Sequence, residues 1–250
     1  MYQNERLESI VKIVRQYGYV TVKYLVGELH YSNATINRDL NILEKQGKVR
    51  RSYGGVEYIE KSGVALPFRY HKMKSEKLKI AKRAAEFVKD GDVIFMDAST
   101  TAEYMAEFLM DKNDLTVITN NMALVMRLSE HDIRVICLGG EMIETPCMLG
   151  GELSVENAMK YRVDKMFFAS VSITETGEIM EVGAYYLLHG VMAKNAQEIY
   201  YLADHDKVGV KRKGQMKILC DLQAVRGVVS DYEFPEETRK KYATTEFIKV

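Results

Sequence analysis

Between residues 93 and 203 the chain repeatedly runs a short apolar stretch into a polar or glycine-rich one, with helical spacing in between. Val93-Ile94-Phe95-Met96 leads into Asp97-Ala98-Ser99-Thr100-Thr101, and Leu115-Thr116-Val117-Ile118 into Thr119-Asn120-Asn121. Ile133–Leu138 leads into Gly139-Gly140-Glu141, Lys165–Ala169 into Ser170, and Ile199–Ala203 into Asp204-His205-Asp206-Lys207. Short apolar runs alternating with helices predict an α/β domain with a mostly parallel sheet. In such sheets ligands bind outside the carboxyl ends of the strands, where helix N-termini also point. The hydroxyls of Ser99, Thr100 and Thr101, opening a helix expected over 102–110, suit an anion such as a phosphate. Lys207 adds a point charge, Gly139-Gly140 allow close backbone approach, and Asp97, Thr119, Asn120 and Asn121 suit sugar hydroxyls. The alternative is that these polar residues are ordinary helix caps and turn formers.

The chain has 250 residues, enough for one large domain or two smaller ones. At 47% hydrophobic and 28% charged residues it suits a globular protein with a sizeable core and excludes disordered, collagen-like and disulfide-scaffold classes. No apolar run reaches the length of a membrane-spanning helix. The polar start, Met1 to Arg6, lacks a signal-peptide core. Cys137, Cys147 and Cys220 form no Cys-x-x-Cys and read as reduced thiols, so a cytoplasmic protein without metal or cofactor is expected. The net charge is zero, yet residues 1–83 hold 17 Lys and Arg against 8 Asp and Glu, and residues 84–250 hold 18 against 27. A basic end on an acidic body can neutralise phosphates locally while the whole stays soluble.

The first 59 residues show what the basic end is built from. Leu7, Ile10, Val11, Val14 and Tyr17 mark one helix face that stops before Gly18. Thr21 can cap a second helix with Val22, Leu25, Val26 and Leu29 inward. After the break His30-Tyr31-Ser32, Ser32 caps a third, with Ile36, Leu40 and Leu43 buried and Gly47 as its stop. Lys48–Tyr53 and Val56–Ile59 read as strands around a Gly54-Gly55 turn. Three short helices and a basic hairpin make a winged helix-turn-helix, whose third helix enters the major groove of DNA. Ser32, Asn33, Thr35, Asn37, Arg38 and Asn41 lie off its buried stripe, and Asn and Arg are the side chains for bidentate contacts with base edges. Arg50 and Arg51 on the wing suit phosphates or the minor groove. A three-helix cluster is also compatible with a protein-docking module. Residues 60–75, with Gly63, Pro67, Lys61, Arg69, Lys72 and Lys74, read as a connector to an α/β domain over 76–250.

Leu29-His30-Tyr31-Ser32-Asn33-Ala34-Thr35-Ile36-Asn37-Arg38-Asp39-Leu40, followed by Leu43, Gly47, Arg51 and Gly54-Gly55, resembles the DNA-binding signature of the DeoR family of bacterial transcriptional regulators. The family pattern has a Val where Tyr31 stands, an Arg at Asn37 and a His at Tyr53. Glu76-Lys77 with Ile80-Ala81, Asp97-Ala98-Ser99-Thr100-Thr101, Thr119-Asn120, Leu138-Gly139-Gly140 and Ala203-Asp204-His205-Asp206-Lys207 are similar, in order, to the landmarks of that family's sensor domain. The resemblance covers nearly the whole chain and implies a winged helix-turn-helix joined to a sensor domain like ribose-5-phosphate isomerase. It further implies a regulator, as a repressor of metabolic genes, that responds to a phosphorylated sugar or related metabolite. Ser99 replaces a family Gly, and His189-Gly190 stand where the family often carries a basic pair.

That kinship makes a sugar-phosphate isomerase the rival. Moving a proton between adjacent carbons needs a carboxylate base held beside the substrate. The isomerases carry an acid-rich segment after one strand and a later Glu. Here Phe167–Ser172 and the helix around Tyr186–Met192 hold no carboxylate. Glu175, Glu178 and Glu181 are expected as solvated loop residues, and His189 as a surface or core helix residue. The expected protein is therefore not an enzyme. It binds double-stranded operator DNA as a homodimer or homotetramer, since half-sites mirror protein symmetry.

Overall fold

Helix ends near the start of the chain are set by side chains that find their own backbone. In the computed structural model, which describes residues 3–17, 19–52, 55–60, 63–64, 66–144, 147–209 and 216–250, two compact units divide the chain as Met1–Met73 and Lys74–Val250. The first begins with α1 (Gln3–Tyr17), β1 (Tyr19–Thr21), α2 (Val22–Leu29) and α3 (Asn33–Lys45). Thr21 caps α2 by accepting from the Tyr24 amide at 3.0 Å, and Ser32 caps α3 by accepting from Thr35 at 3.2 Å. At the other end of α3, Gly47 adopts φ +68°, while its amide and that of Lys48 return to the carbonyls of Glu44 and Leu43. This paired closure needs a left-handed residue, which is why the helix stops at a glycine. Ile10, Val14, Leu25, Ile36, Leu40, Leu43, Val49 and Val56 are buried together as the core of this unit. Tyr17, expected on the inward face of α1, is 45% exposed and meets Tyr24 edge-on instead.

β2 (Val49–Ser52) and β3 (Gly55–Glu60) form the antiparallel wing, with β4 (Gly63–Val64) added on β3 and α4 (Leu66–His71) after it. Tyr53 and Gly54 of the expected turn, and Gly18, lie outside the described residues. Gly55 is a strand residue rather than half of a turn. β1, absent from the pattern reading, crosses it in register, and a Cβ there would meet the Tyr19 ring and the Val20 carbonyl. The stretch expected as an irregular connector, 60–75, holds β4, α4 and the start of α5. Residues 1–73 carry 12 Lys and Arg against 7 Asp and Glu. Part of the basic segment, Lys74 to Arg83, therefore belongs to the second unit.

The second unit contains α5 (Lys74–Ala85), β5 (Val93–Met96), α6 (Thr100–Met105), β6 (Thr116–Thr119), α7 (Met122–Leu128), β7 (Arg134–Cys137), β8 (Glu141–Glu144) and β9 (Met148–Gly150). It continues with α8 (Glu152–Ala158), β10 (Val163–Phe168), β11 (Ser172–Ile173), β12 (Glu178–Glu181), α9 (Gly183–Asn195), β13 (Ala196–Ala203) and β14 (Lys217–Asp221). β15 (Gly227–Ser230), α10 (Glu236–Lys241) and β16 (Glu246–Lys249) complete it. The helix expected over 102–110 is shorter: α6 ends at Met105 and tightens into a 3-10 turn, Ala106–Phe108.

Seven strands make one wholly parallel sheet in the order β16-β15-β13-β10-β5-β6-β7. Its central strands are buried on both faces, so Ile94-Phe95-Met96 and Met166-Phe167-Phe168 are unbroken apolar runs. Lys165 and Asp92 pair at 2.6 Å beside β5 and β10. The chain starts at β5, goes outward through β6 and β7, and returns to the other side of β5 with β10. The strand order therefore reverses between β5 and β10, the place where open α/β sheets leave a crevice at their carboxyl ends. A small antiparallel sheet, β11-β12-β14, and the β8–β9 hairpin were not anticipated. Glu178 and Glu181, expected in a loop, lie on β12. No helix among the described residues is long and apolar enough to cross a membrane.

Candidate functional site

On α3, Asn33, Asn37 and Asn41 recur every fourth residue and so share a face. The Asn37 amide group donates to the Asn33 carbonyl at 2.8 Å and to its side-chain oxygen. The Asn37 oxygen faces the Arg51 guanidinium, which also donates to Asn41 Oδ1 at 2.8 Å, and the Arg51 amide donates to Glu44 at 3.0 Å. The wing is thereby fastened to α3 by one arginine and two asparagines. Ser32, Asn33, Arg38, Asn41 and Arg50 are exposed, whereas Thr35, Asn37 and Arg51 are half-buried. Ser32 and Thr35 also meet hydroxyl to hydroxyl at 2.9 Å, so both are engaged in the cap.

Beneath that face, Asp39 is wholly buried and accepts two hydrogen bonds from Arg6 of α1, one of them at 3.1 Å. The Arg6 guanidinium lies 4.6 Å from the centre of the Tyr31 ring. A buried carboxylate is tolerable only with such a partner. Neither Arg6 nor Asp39 stood out in the sequence.

In the second unit the carboxyl ends of β5, β6, β7, β10 and β13 converge. Asp97, 2% exposed, accepts from the Ser99 amide at 3.2 Å and the Ser99 hydroxyl at 2.5 Å through one oxygen. Its other oxygen accepts from the Ala169 amide at 3.2 Å, so Asp97 straddles the crevice between β5 and β10. Ser99 caps α6, and Thr100 receives a hydrogen bond from the buried ammonium of Lys77 at 3.0 Å. Thr101 Oγ1 and Asn120 Oδ1 are buried and have no hydrogen-bond partner among the described residues. Asn120 donates to the Leu149 carbonyl at 2.8 Å. Thr119 accepts from the Asn121 amide, and Asn121 caps α7 while donating to Glu103 at 3.0 Å. Those two polar groups serve the local frame.

Gly139 and Gly140 take φ +70° and +113° after β7. A Cβ on Gly140 would collide with the Gly150 carbonyl and Ser154 Oγ, whereas one on Gly139 would meet nothing within 4 Å. Lys207 donates to the Ser170 carbonyl, and its own carbonyl accepts from Ser172 at 3.1 Å. The Ser170 hydroxyl and Tyr201 hydroxyl lie 2.7 Å apart. Burial holds the Tyr201 phenol far above its ordinary range and raises the Cys220 thiol to about 11.

His189 on α9 is 1% exposed and sits between two carboxylates, with Nε2 3.4 Å from Asp97 Oδ2 and Nδ1 3.2 Å from Glu181 Oε2. Burial by itself lowers its pKa, but hydrogen bonds to Asp97 and Glu181, with their charges, outweigh this and push it up to about 9. Glu181 is not a solvated loop residue. It is 1% exposed, and it also accepts from the Val182 amide at 2.9 Å at the start of α9.

These two constructions have counterparts among known proteins. Residues 6–62 match the model of the DeoR-like helix-turn-helix domain, and residues 72–232 match that of the DeoR C terminal sensor domain. The chain belongs to the DeoR family. It is a DNA-binding transcriptional regulator of that family's two-part build. The lactose phosphotransferase system repressor of Staphylococcus aureus (strain NCTC 8325 / PS 47) is 32% identical over 97% of this chain and 98% of its own. The glycerol-3-phosphate regulon repressor of Escherichia coli (strain K12) is 30% identical over 90% of each. Among solved structures, ribose 5-phosphate isomerase A from Methanocaldococcus jannaschii aligns over 57% of each chain, with 22% identity and TM-score 0.42. That likeness is too loose to carry an argument about activity.

Of the residues the sequence pointed to in this DeoR-family sensor unit, the structure places Asp97, Ser99, Thr100, Thr101, Thr119, Asn120, Asn121, Gly139 and Gly140 at consecutive strand ends. Lys207 lies beyond the end of β13. The sequence reading kept Lys77 only as a family landmark and Glu181 only as a loop acid, and set His189 aside as an ordinary helix residue. Lys77 was detectable, because it falls on the same helical stripe as Ile80, Ala81 and Ala84. Glu181 shares a strand face with the buried Ile179.

Proposed function

We propose that this regulator acts as a repressor of metabolic genes whose hold on operator DNA is changed by a phosphorylated sugar or related metabolite bound at the strand ends of the sensor unit. The observation that carries this reading is the pair of buried, unpartnered polar atoms there, Thr101 Oγ1 and Asn120 Oδ1. A buried polar atom without a partner costs free energy, about 1–3 kcal/mol, that a ligand hydroxyl or phosphate oxygen in its place would recover. Lys77 and Lys207 bring positive charge to the same strand ends, Thr100 and Gly139 supply further donors, and Ser99, whose own donors go to Asp97, fixes the turn that presents them. Asp97, Thr119, Asn121 and Gly140 frame the pocket rather than offer free groups to it. The two relatives, a lactose phosphotransferase system repressor and a glycerol-3-phosphate regulon repressor, agree with a phosphorylated effector.

On the DNA side, Asn33, Asn37, Arg38 and Asn41 read bases, Arg50 holds the wing against the DNA backbone, and Arg51 joins the wing to Asn37 and Asn41 and so sets how they face the groove. Ser32 and Thr35 fix the start of the reading helix. Palindromic operators favour a homodimer or homotetramer. As a DNA-bound regulator the protein works in the cytoplasm. It has no isomerase activity. Three buried carboxylates at the strand ends are engaged: Asp97 by Ser99, Ala169 and His189, Glu181 by His189 and Val182, and Glu103 by Asn121.

Thermal-shift screening of sugar phosphates tests the pocket. Stabilisation that Thr101→Val and Lys207→Ala each diminish is expected. Turnover of a pentose phosphate in the same screen would instead establish the isomerase.

A further inference from the structure

We infer that His189 is a positioning residue for the strand-end crevice. From α9 it bridges Asp97 after β5 to Glu181 on β12, and so sets the geometry in which Asp97 holds Ser99 and Ala169 across the switch point. The two carboxylates belong to different parts of the unit: Asp97 follows a central strand of the parallel sheet, and Glu181 ends a strand of the small antiparallel sheet. Among the described residues, His189 is the side chain that meets both.

The geometry also defines its protonation. A carboxylate oxygen only accepts, and a neutral imidazole has one donor. Both ring nitrogens face a carboxylate oxygen, so both contacts are satisfied together when the ring carries two N–H groups. Among the described residues, the charged groups that act on the ring are the carboxylates of Asp97 and Glu181. Phe168 of β10 presents an aromatic edge with ring centres 5.3 Å apart, and Tyr185 lies one turn back on α9. Tyr201 of β13 feels the charges of Glu181 and Asp204, which add negative character to this region, while the Cys220 thiol, raised by burial, stays neutral. One imidazolium thus stands among several acids, and it compensates the two nearest.

The consequence for binding follows from how Asp97 is used. One oxygen organises the Ser99 turn that opens α6, and the other takes the Ala169 amide. The imidazolium competes for that second oxygen and holds the carboxylate in its plane. Loss of the cation leaves two buried carboxylates without their counter-charge, a state that drives them apart or draws in water. The Ser99–Thr101 segment and the Ala169–Ser170 backbone then lose their fixed spacing, and a ligand seated between them loses its fit. The effect on ligand binding rests on the sensor reading above. The effect on the two backbone segments does not.

Three measurements on the full chain test this. Long-range proton–nitrogen NMR at pH 8, with His189→Gln supplying the assignment, should show the His189 ring protonated on both nitrogens. Hydrogen-exchange mass spectrometry should show faster exchange in segments 97–101 and 167–172 of His189→Gln, with β15 unchanged. Because that variant leaves an uncompensated buried charge, Glu181→Gln/His189→Gln is run beside it. The double variant should melt closer to wild type and still lose protection at Ala169. Calorimetric titration with glycerol 3-phosphate, ribose 5-phosphate and glucose 6-phosphate should find affinity about tenfold weaker or more in His189→Gln, the scale of one charged hydrogen bond. Wild-type affinity should also fall between pH 8 and 10 while that of His189→Gln stays level. A neutral His189 at pH 8, or unchanged exchange at both segments in both variants, overturns the inference. So does a probe that binds wild type and His189→Gln alike across that pH range. If none of the three probes binds wild type, it is the sensor reading that suffers, and the NMR and exchange results still decide the role of His189.

Discussion

Replacing Gly140 and Gly139 by alanine, one at a time, separates two reasons for a glycine that the sequence cannot tell apart. Gly139, at φ +70°, is left-handed with open space where a Cβ would go. An alanine there bears only the backbone penalty, about 1–2 kcal/mol. Gly140, at φ +113°, lies beyond the left-handed helical region, and its Cβ would sit under 3.0 Å from both the Gly150 carbonyl and Ser154 Oγ. The serine could rotate. The carbonyl belongs to the end of β9 and moves only with the hairpin. Strain of about 1–3 kcal/mol for the dihedral and a similar amount for overpacking predict about 2–6 kcal/mol in all. At about 2–4 °C per kcal/mol for a unit of this size, scanning calorimetry should find the sensor-unit transition lowered by roughly 5–20 °C in Gly140→Ala and by about 2–8 °C in Gly139→Ala. Equal shifts would refute the close approach of the β7 loop to β9. A retained melting temperature with lost sugar-phosphate stabilisation in Gly139→Ala would place a ligand, rather than the protein, over that open space.

Other perturbations probe the two units separately. Arg51→Ala should weaken operator binding by about 10–100-fold in fluorescence anisotropy while the helical circular dichroism is kept, since one base-edge contact and its organiser are worth about 1–3 kcal/mol. Arg51→Lys should fall between, because one ammonium does not reproduce the fork that meets Asn37 and Asn41. Arg6→Ala should cost the small unit about 2–3 kcal/mol in urea unfolding by leaving Asp39 buried alone, and Arg6→Met with Asp39→Leu should recover much of it. For His189, a folded-state pKa raised from 6.5 to about 9 means its stabilisation is complete below 6.5, shrinks as pH rises and is exhausted above 9. The gap in melting temperature between wild type and His189→Gln should therefore close from pH 6.5 to pH 10, and a gap that stays constant would contradict the assignment.

What was legible in the sequence was local or periodic. Thr21, Ser32 and Gly47 act within a few residues of where they stand, so the three helices of the small unit could be read from caps and stripes. The strand ends were legible because a parallel sheet buried on both faces leaves its polar residues at the ends. The features missed depend on partners far along the chain. β1 is three residues long and exists because Gly55 lets β3 come close. Arg6 and Asp39 are ordinary charges until α1 and α3 pack. His189 and Glu181 look like a helix residue and a loop acid, and become a buried pair only when α9 and β12 are laid against Asp97. Gly139-Gly140 were legible as special, but not why. One lies against open space and the other against the β8–β9 hairpin, which was not anticipated.

A ligand at the strand ends of the sensor unit is expected to control the grip of the winged helix on DNA. Fluorescence anisotropy of the full chain, on a duplex from upstream of its own gene and on a random duplex of equal length, tests it most directly when repeated with and without each sugar phosphate that stabilises the protein. The upstream duplex should bind at least about a thousandfold more tightly than the random one at near-physiological salt, with affinity falling steeply as salt rises. At least one sugar phosphate should change that affinity about fivefold or more, and Lys207→Ala should remove the change without altering binding in its absence. Equal binding to both duplexes, or operator affinity that no stabilising sugar phosphate alters, would contradict the account.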